Sequence, residues 1–132
     1  MKEPLILMLC LMALMFVVAF VCRLWSVFFS GVSLAHYELF NLDTEPAYVT
    51  RTTNNLNNQF QLPLVFIAAC ILSFNLKYES EALIFNAWGF VTSRALHSLA
   101  HIMFNQVLVR SAIFGAGLFF LIRIWFELLA KI

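Results

Sequence analysis

Between Leu5 and Cys22 the chain reads LILMLCLMALMFVVAFVC, eighteen residues without a charged or amide side chain. A helix that is apolar all round must be buried, either in the core of a large protein or in a bilayer. With 132 residues the chain is too small for the first solution. It is 63% hydrophobic and only 11% charged, against roughly half and a quarter in ordinary soluble domains. Small folds leave much of their surface exposed, so this much apolar surface calls for lipid as its solvent. The same composition excludes a disordered chain, a collagen-like repeat and a disulfide-stapled secreted domain. Cys10, Cys22 and Cys70 all lie inside apolar runs and read as small buried hydrophobes.

Crossing a bilayer as a helix takes about 20 apolar residues, and four segments qualify: 5–29, 56–76, 82–104 and 107–129. The first is too long for a signal-peptide core and ends in no small-x-small cleavage site. The links 77–81 and 105–106 are short, so the last three helices are antiparallel neighbours. The long link, 31–50, carries His36, Glu38, Asp43, Glu45 and Pro46 and is polar enough to lie in water. The sequence therefore predicts one all-α integral membrane domain, a four-span antiparallel bundle. Lys2, Lys77 and Lys131 flank one face and Arg51 and Arg110 the other, so positive charge leaves the orientation open.

Ionisable groups inside a span are costly and face a partner, a cavity or a site. On the third helix Arg94, His97, Ser98, His101 and Asn105 fall within an arc of about 100°. On the second, Arg51, Asn54, Asn55, Asn58 and Gln61 share an arc of about 120°. Antiparallel packing brings these stripes together, with Arg110 at the start of helix four and Arg23 late in helix one at the same level. Arginine presents a fixed fork of donors to carboxylate or phosphate, and few acids are near, so the cluster suits an anion. Mutual satisfaction of these groups at helix contacts is the alternative. His97 and His101 have metal-compatible i, i+4 spacing, but no glutamate lies between them and no third ligand is placed by pattern. The net charge of +1 gives no field for nucleic acid.

Two smaller patterns complete the reading. Arg123 and Glu127 are spaced i, i+4 and can pair along helix four. Ser111 with Gly115, and Ala112 with Ala116, are small-xxx-small pairs that read as an assembly face.

The segment Asn58-Gln59-Phe60-Gln61-Leu62-Pro63-Leu64-Val65-Phe66 resembles the helix-two signature of the MAPEG superfamily, membrane-associated proteins in eicosanoid and glutathione metabolism. Bacterial members carry N-x-F-E-x-P-x-x-F there. The run from Trp88 through Arg94, His97, Ser98, His101 and Asn105 to Arg110 is similar to that family's helix three and the start of helix four. The resemblance implies a homotrimer in the bacterial inner membrane, with glutathione as co-substrate held between subunits and a hydrophobic substrate arriving from the lipid. By position, Arg110 resembles the arginine that stabilises the thiolate, with Ser111 beside it. Arg94, His97 and His101 resemble the helix-three lining and Arg23 the helix-one arginine; Arg51, Asn58 and Gln61 are the candidate glutathione-binding residues of helix two, with Arg51, seven residues before Asn58, departing from the family's helix-two arginine. The implied activity is a transferase or peroxidase on hydrophobic electrophiles or lipid hydroperoxides. Gln61 stands where the bacterial pattern has glutamate, an acid that anchors the ligand's amino group. That substitution leaves a second reading open, a non-catalytic trimer that binds membrane lipids or serves assembly.

Overall fold

The computed structural model describes residues 1–39, 45–103 and 106–132. Among them all regular structure is helical: α1 (Lys2–Phe29), α2 (Leu34–Leu39), α3 (Ala47–Gln59), α4 (Leu62–Leu76), α5 (Glu81–Met103) and α6 (Val107–Leu129). The polar link thus contains α2 and the first turn of α3. Asp43, Phe104 and Asn105, named above in the link, at the end of the third span and in its polar stripe, lie outside the described residues.

Among the described residues three segments are long and apolar enough to cross a membrane: Lys2–Phe29, Ala47–Leu76 and Val107–Leu129. The fourth expected span, α5, has 23 residues, about 34 Å of helix. Its length suffices, but Asn86, Arg94, His97 and His101 lower its apolarity. α5 buries those same groups while α1 and α6 stay open, the most apolar stretch of each being only 17% buried. Phe28 and Leu108 are 74% and 85% exposed, so the outer faces of α1 and α6 are built to meet lipid or another chain.

The second long segment is broken at Phe60 and Gln61. Pro63 explains the break. Its ring in a continuous helix would collide with the carbonyl four residues back, that of Gln59, and it has no N–H to donate there. In the first turn of a new helix neither defect matters, and α4 starts at Leu62.

Contacts set the order of packing. Ser93 meets Gly117, Gly89 meets Phe120, and His97 Nδ1 donates to the Arg110 carbonyl at 3.2 Å, so α5 and α6 run antiparallel. Arg23 Nη2 donates to Thr53 Oγ1 at 3.3 Å and Asn55 Nδ2 to Met15 Sδ at 3.0 Å, which sets α3 antiparallel to α1. The apolar core lies below this polar zone. There Phe66 of α4 stacks on Phe90 of α5 at 4.7 Å, with Met8, Ala69, Cys70, Leu83, Leu121 and Ile124 around them. Of the three free cysteines only Cys70 is in the core; Cys10 is exposed, because α1 turns its outer face away from the other helices.

One sequence expectation changes in the folded chain. Glu127 does not pair with Arg123. It accepts hydrogen bonds from Tyr78 Oη at 3.1 Å and from Ser80 Oγ, because the α4–α5 link folds across the end of α6. Within the chain the close α5–α6 contact is made at Gly89 and Gly117, and Gly115 takes no part in it. A Cβ at Gly117 would lie 2.6 Å from Ser93 Oγ, whereas one at Gly115 would meet nothing within 4 Å.

Candidate functional site

The polar end of the bundle is built by α3, α5 and the first turns of α6. α5 presents one side of itself at helical spacing. Arg94 is 1% exposed, and His97, Ser98 and His101 are buried beside it. α3 answers with amides. Asn58 Nδ2 donates to His101 Nε2 at 3.1 Å, and the Asn58 carbonyl accepts from Arg94 Nη2 at 3.4 Å. Gln59 Nε2 donates to Ser98 Oγ at 2.8 Å. The His97 and His101 rings meet edge to face at 5.0 Å. Phe114 of α6 packs beside both Arg94 and His97.

Several buried atoms of this cluster have no hydrogen-bond partner among the described residues: Arg94 Nε and Nη1, His97 Nε2, His101 Nδ1 and Gln59 Oε1. Arg94 has no carboxylate within ion-pair distance there; its neighbours are a backbone carbonyl and an aromatic face. A buried guanidinium without an acid is costly, and hydrogen-bonding groups left without partners are what a polar binding region offers a ligand.

Two cavities open from the cluster. One, of about 410 Å³, is lined by Glu45, Ala47, Thr50, Arg51, Asn54, His101 and Arg110. The other, of about 220 Å³, is lined by Asn58, His97, Val107, Arg110, Ser111 and Phe114. Arg110 borders both. The larger cavity carries two guanidinium groups and one carboxylate, a charge order suited to an anion that also bears a cationic group. Glu45 is fixed there by His36 Nε2 at 3.2 Å and by Thr50 Oγ1, which donates at 3.5 Å.

The residues read from the sequence divide accordingly. Arg51, Asn58, Arg94, His97, His101, Arg110 and Ser111 are brought to one end of the bundle. Arg23 lies at the same level but is turned to Thr53 and the Tyr37 ring, on the α1 side. Gln61 stands exposed in the helix break and lines neither cavity. Asn55 turns to Met15 instead of the cavities. Sequence reasoning missed Glu45 and Gln59. For Gln59 the signal was Pro63, whose effect four residues back ends α3 with Gln59 facing α5. For Glu45 no local signal existed, since it precedes α3 and its place rests on contacts with His36 and Thr50. No group of three or more His, Cys, Asp or Glu side chains comes together to hold a metal among the described residues.

Among the described residues all regular structure is helical, and three segments long and apolar enough to cross a membrane with a cationic, amide-rich zone at one end define a class: integral membrane helical bundles with a polar end. Within that class the chain belongs to the MAPEG family, whose sequence profile matches residues 4–130. No curated protein and no solved structure matches it.

Proposed function

We propose that this chain is a glutathione-dependent transferase or peroxidase acting on hydrophobic electrophiles or lipid hydroperoxides, as a homotrimer of four-span subunits in a bacterial inner membrane. One observation carries the reading: Arg110 borders both the larger polar cavity and the smaller one that holds Ser111 and Phe114. A tripeptide thiol then has its charged ends on Arg51, Asn54 and Glu45 and its sulfur beside Arg110. The thiolate, not the thiol, is the nucleophile, and a guanidinium in a partly dehydrated site stabilises it and the charge that develops during attack. Ser111 offers a hydroxyl to the same sulfur. Asn58, His97 and Arg94 form the floor, and the apolar electrophile comes from the side of Val107 and Phe114. Membership of the family, with the motif match at Asn58 to Phe66 and at Arg94 to Arg110, supports this assignment.

The test is thermal unfolding of the detergent-purified protein across a glutathione titration. A ligand bound only by the folded state stabilises it by about 2.7 kcal/mol at a hundredfold excess over Kd. A saturating rise in Tm, lost in Arg110→Ala, is the expected result; an unchanged Tm at millimolar glutathione rejects the reading.

A second reading, a non-catalytic trimer that binds lipid or serves assembly, is favoured by Gln61. The position that holds an acid in bacterial relatives is here a neutral amide, exposed in the helix break. Under that reading glutathione leaves Tm unchanged, and phospholipid copurifies that no thiol ligand displaces.

A further inference from the structure

At the other end of the bundle an arginine stands on a surface made for lipid. Arg123 of α6 is exposed, among the exposed apolar side chains Phe119, Ile122 and Phe126. Among the described residues no carboxylate lies within ion-pair distance of it. The acid one turn away, Glu127, is taken by Tyr78 and Ser80. A guanidinium on a lipid-facing surface needs an anion or a path to the headgroups. Arg123 lies six residues before the end of α6, about 9 Å of helix, within the reach of a side chain that extends toward the interface.

Beside it runs a groove between α4 and α6, about 250 Å³ in volume, lined by Leu62, Val65, Leu118, Ile122, Trp125 and Leu129. Every lining residue is apolar or aromatic. From Leu118 to Leu129 it follows about 16 Å of α6, with Arg123 level with its middle. Ile122 and Phe126 line it and neighbour Arg123 along α6, so the guanidinium stands on the groove's flank, and an apolar slot flanked by a cation matches one occupant.

We propose that this groove and Arg123 form a seat for one glycerophospholipid, an acyl chain lying along α6 and the phosphodiester on the Arg123 guanidinium. The site is separate from the Arg51–Arg110 cavity and holds whether or not the chain uses glutathione.

Native mass spectrometry of the full chain in detergent tests it, with phosphatidylglycerol as probe and inorganic phosphate as competitor. The wild type is expected to retain one phosphatidylglycerol per chain in the presence of excess phosphate. Losing a charge-assisted hydrogen bond in Arg123→Gln lowers lipid affinity about tenfold, and Arg123→Lys restores part of it. Ile122→Trp, which fills the groove and leaves the charge, lowers it as well. Three results overturn the proposal. The first is wild-type lipid retention in Arg123→Gln, and the second is displacement of the lipid by inorganic phosphate. The third is a change in the number of assembled chains in Arg123→Gln with lipid retention unaltered, which assigns Arg123 to a contact between copies.

Discussion

Asn58 Nδ2 donates to His101 Nε2 across 3.1 Å, and this contact sets which nitrogen of the ring carries the proton. A neutral His101 accepting at Nε2 bears its hydrogen on Nδ1. His97 reaches the same tautomer by the opposite route, donating from Nδ1 to the Arg110 carbonyl. The two imidazoles therefore present a bare Nε2 from His97 and an N–H from His101 to the polar zone, a matched acceptor and donor.

Replacing Asn58 by leucine removes that donor and leaves a buried acceptor. Asn58→Leu is expected to destabilise the protein by about 1–3 kcal/mol. It should also release His101 into a mixture of tautomers. Nitrogen chemical shifts of ¹⁵N-labelled histidine report the second effect, and a wild-type pattern would contradict the assignment.

Gln59 and Ser98 form a buried pair at 2.8 Å. Gln59→Leu leaves the Ser98 hydroxyl without this donor and should cost about 1–3 kcal/mol; Ser98→Ala leaves Gln59 Nε2 only its longer bond to Asn55 Oδ1, at 3.5 Å, and should cost toward the lower end of that range. The double variant should cost clearly less than the sum, with a coupling of about 0.5 kcal/mol or more. Denaturation of all four proteins in one detergent closes the cycle.

The α5–α6 contact depends on the missing side chain at Gly117. A Cβ there meets Ser93 Oγ at 2.6 Å, and that hydroxyl is itself held on the Phe90 carbonyl at 2.6 Å. Overpacking of this kind costs about 1–3 kcal/mol, more than the helix-propensity gain of about 0.5–1 kcal/mol from glycine to alanine. Gly117→Ala should therefore lower Tm, and adding Ser93→Ala should recover most of the loss. Gly115→Ala, with open space around it, should leave Tm of the isolated chain unchanged or raised.

Charge in the larger cavity gives a prediction with two signs. Arg51→Gln should weaken any anion by about tenfold, the worth of one charge-assisted hydrogen bond. Glu45→Gln should tighten sulfate, which only feels repulsion from that carboxylate, and weaken glutathione, which carries an ammonium. Calorimetric titration of both ligands separates the cases; parallel changes would place Glu45 away from the ligand.

The polar stripe of α5 was legible because helical periodicity alone puts Arg94, His97, Ser98 and His101 on one side. The facing amide was not. Gln59 and Gln61 differ by two residues, over half a turn, and which one faces α5 depends on where the helix breaks. Pro63 announces a break but the clash it avoids fixes the place only once the carbonyl of Gln59 is considered. Spacing also misled at Arg123 and Glu127. An i, i+4 pair is a local option, and two hydroxyls brought by the α4–α5 link outcompeted it at Glu127. Glu45 shows the same limit at longer range, since no periodicity carries a link residue to a cavity.

The break at Phe60 and Gln61 also bears on the membrane itself. α4 has 15 residues, so the apolar part of that hairpin arm covers about 22 Å, short of a hydrocarbon layer of about 30 Å. The rest of the arm is α3, with its asparagines and threonines. A bilayer meets such a mismatch by thinning and letting headgroups sink around the short side. The dent falls on one flank of the molecule only, beside α3. Bilayers of shorter-chain lipids should therefore suit this flank of the protein, and thick ones should deepen the dent.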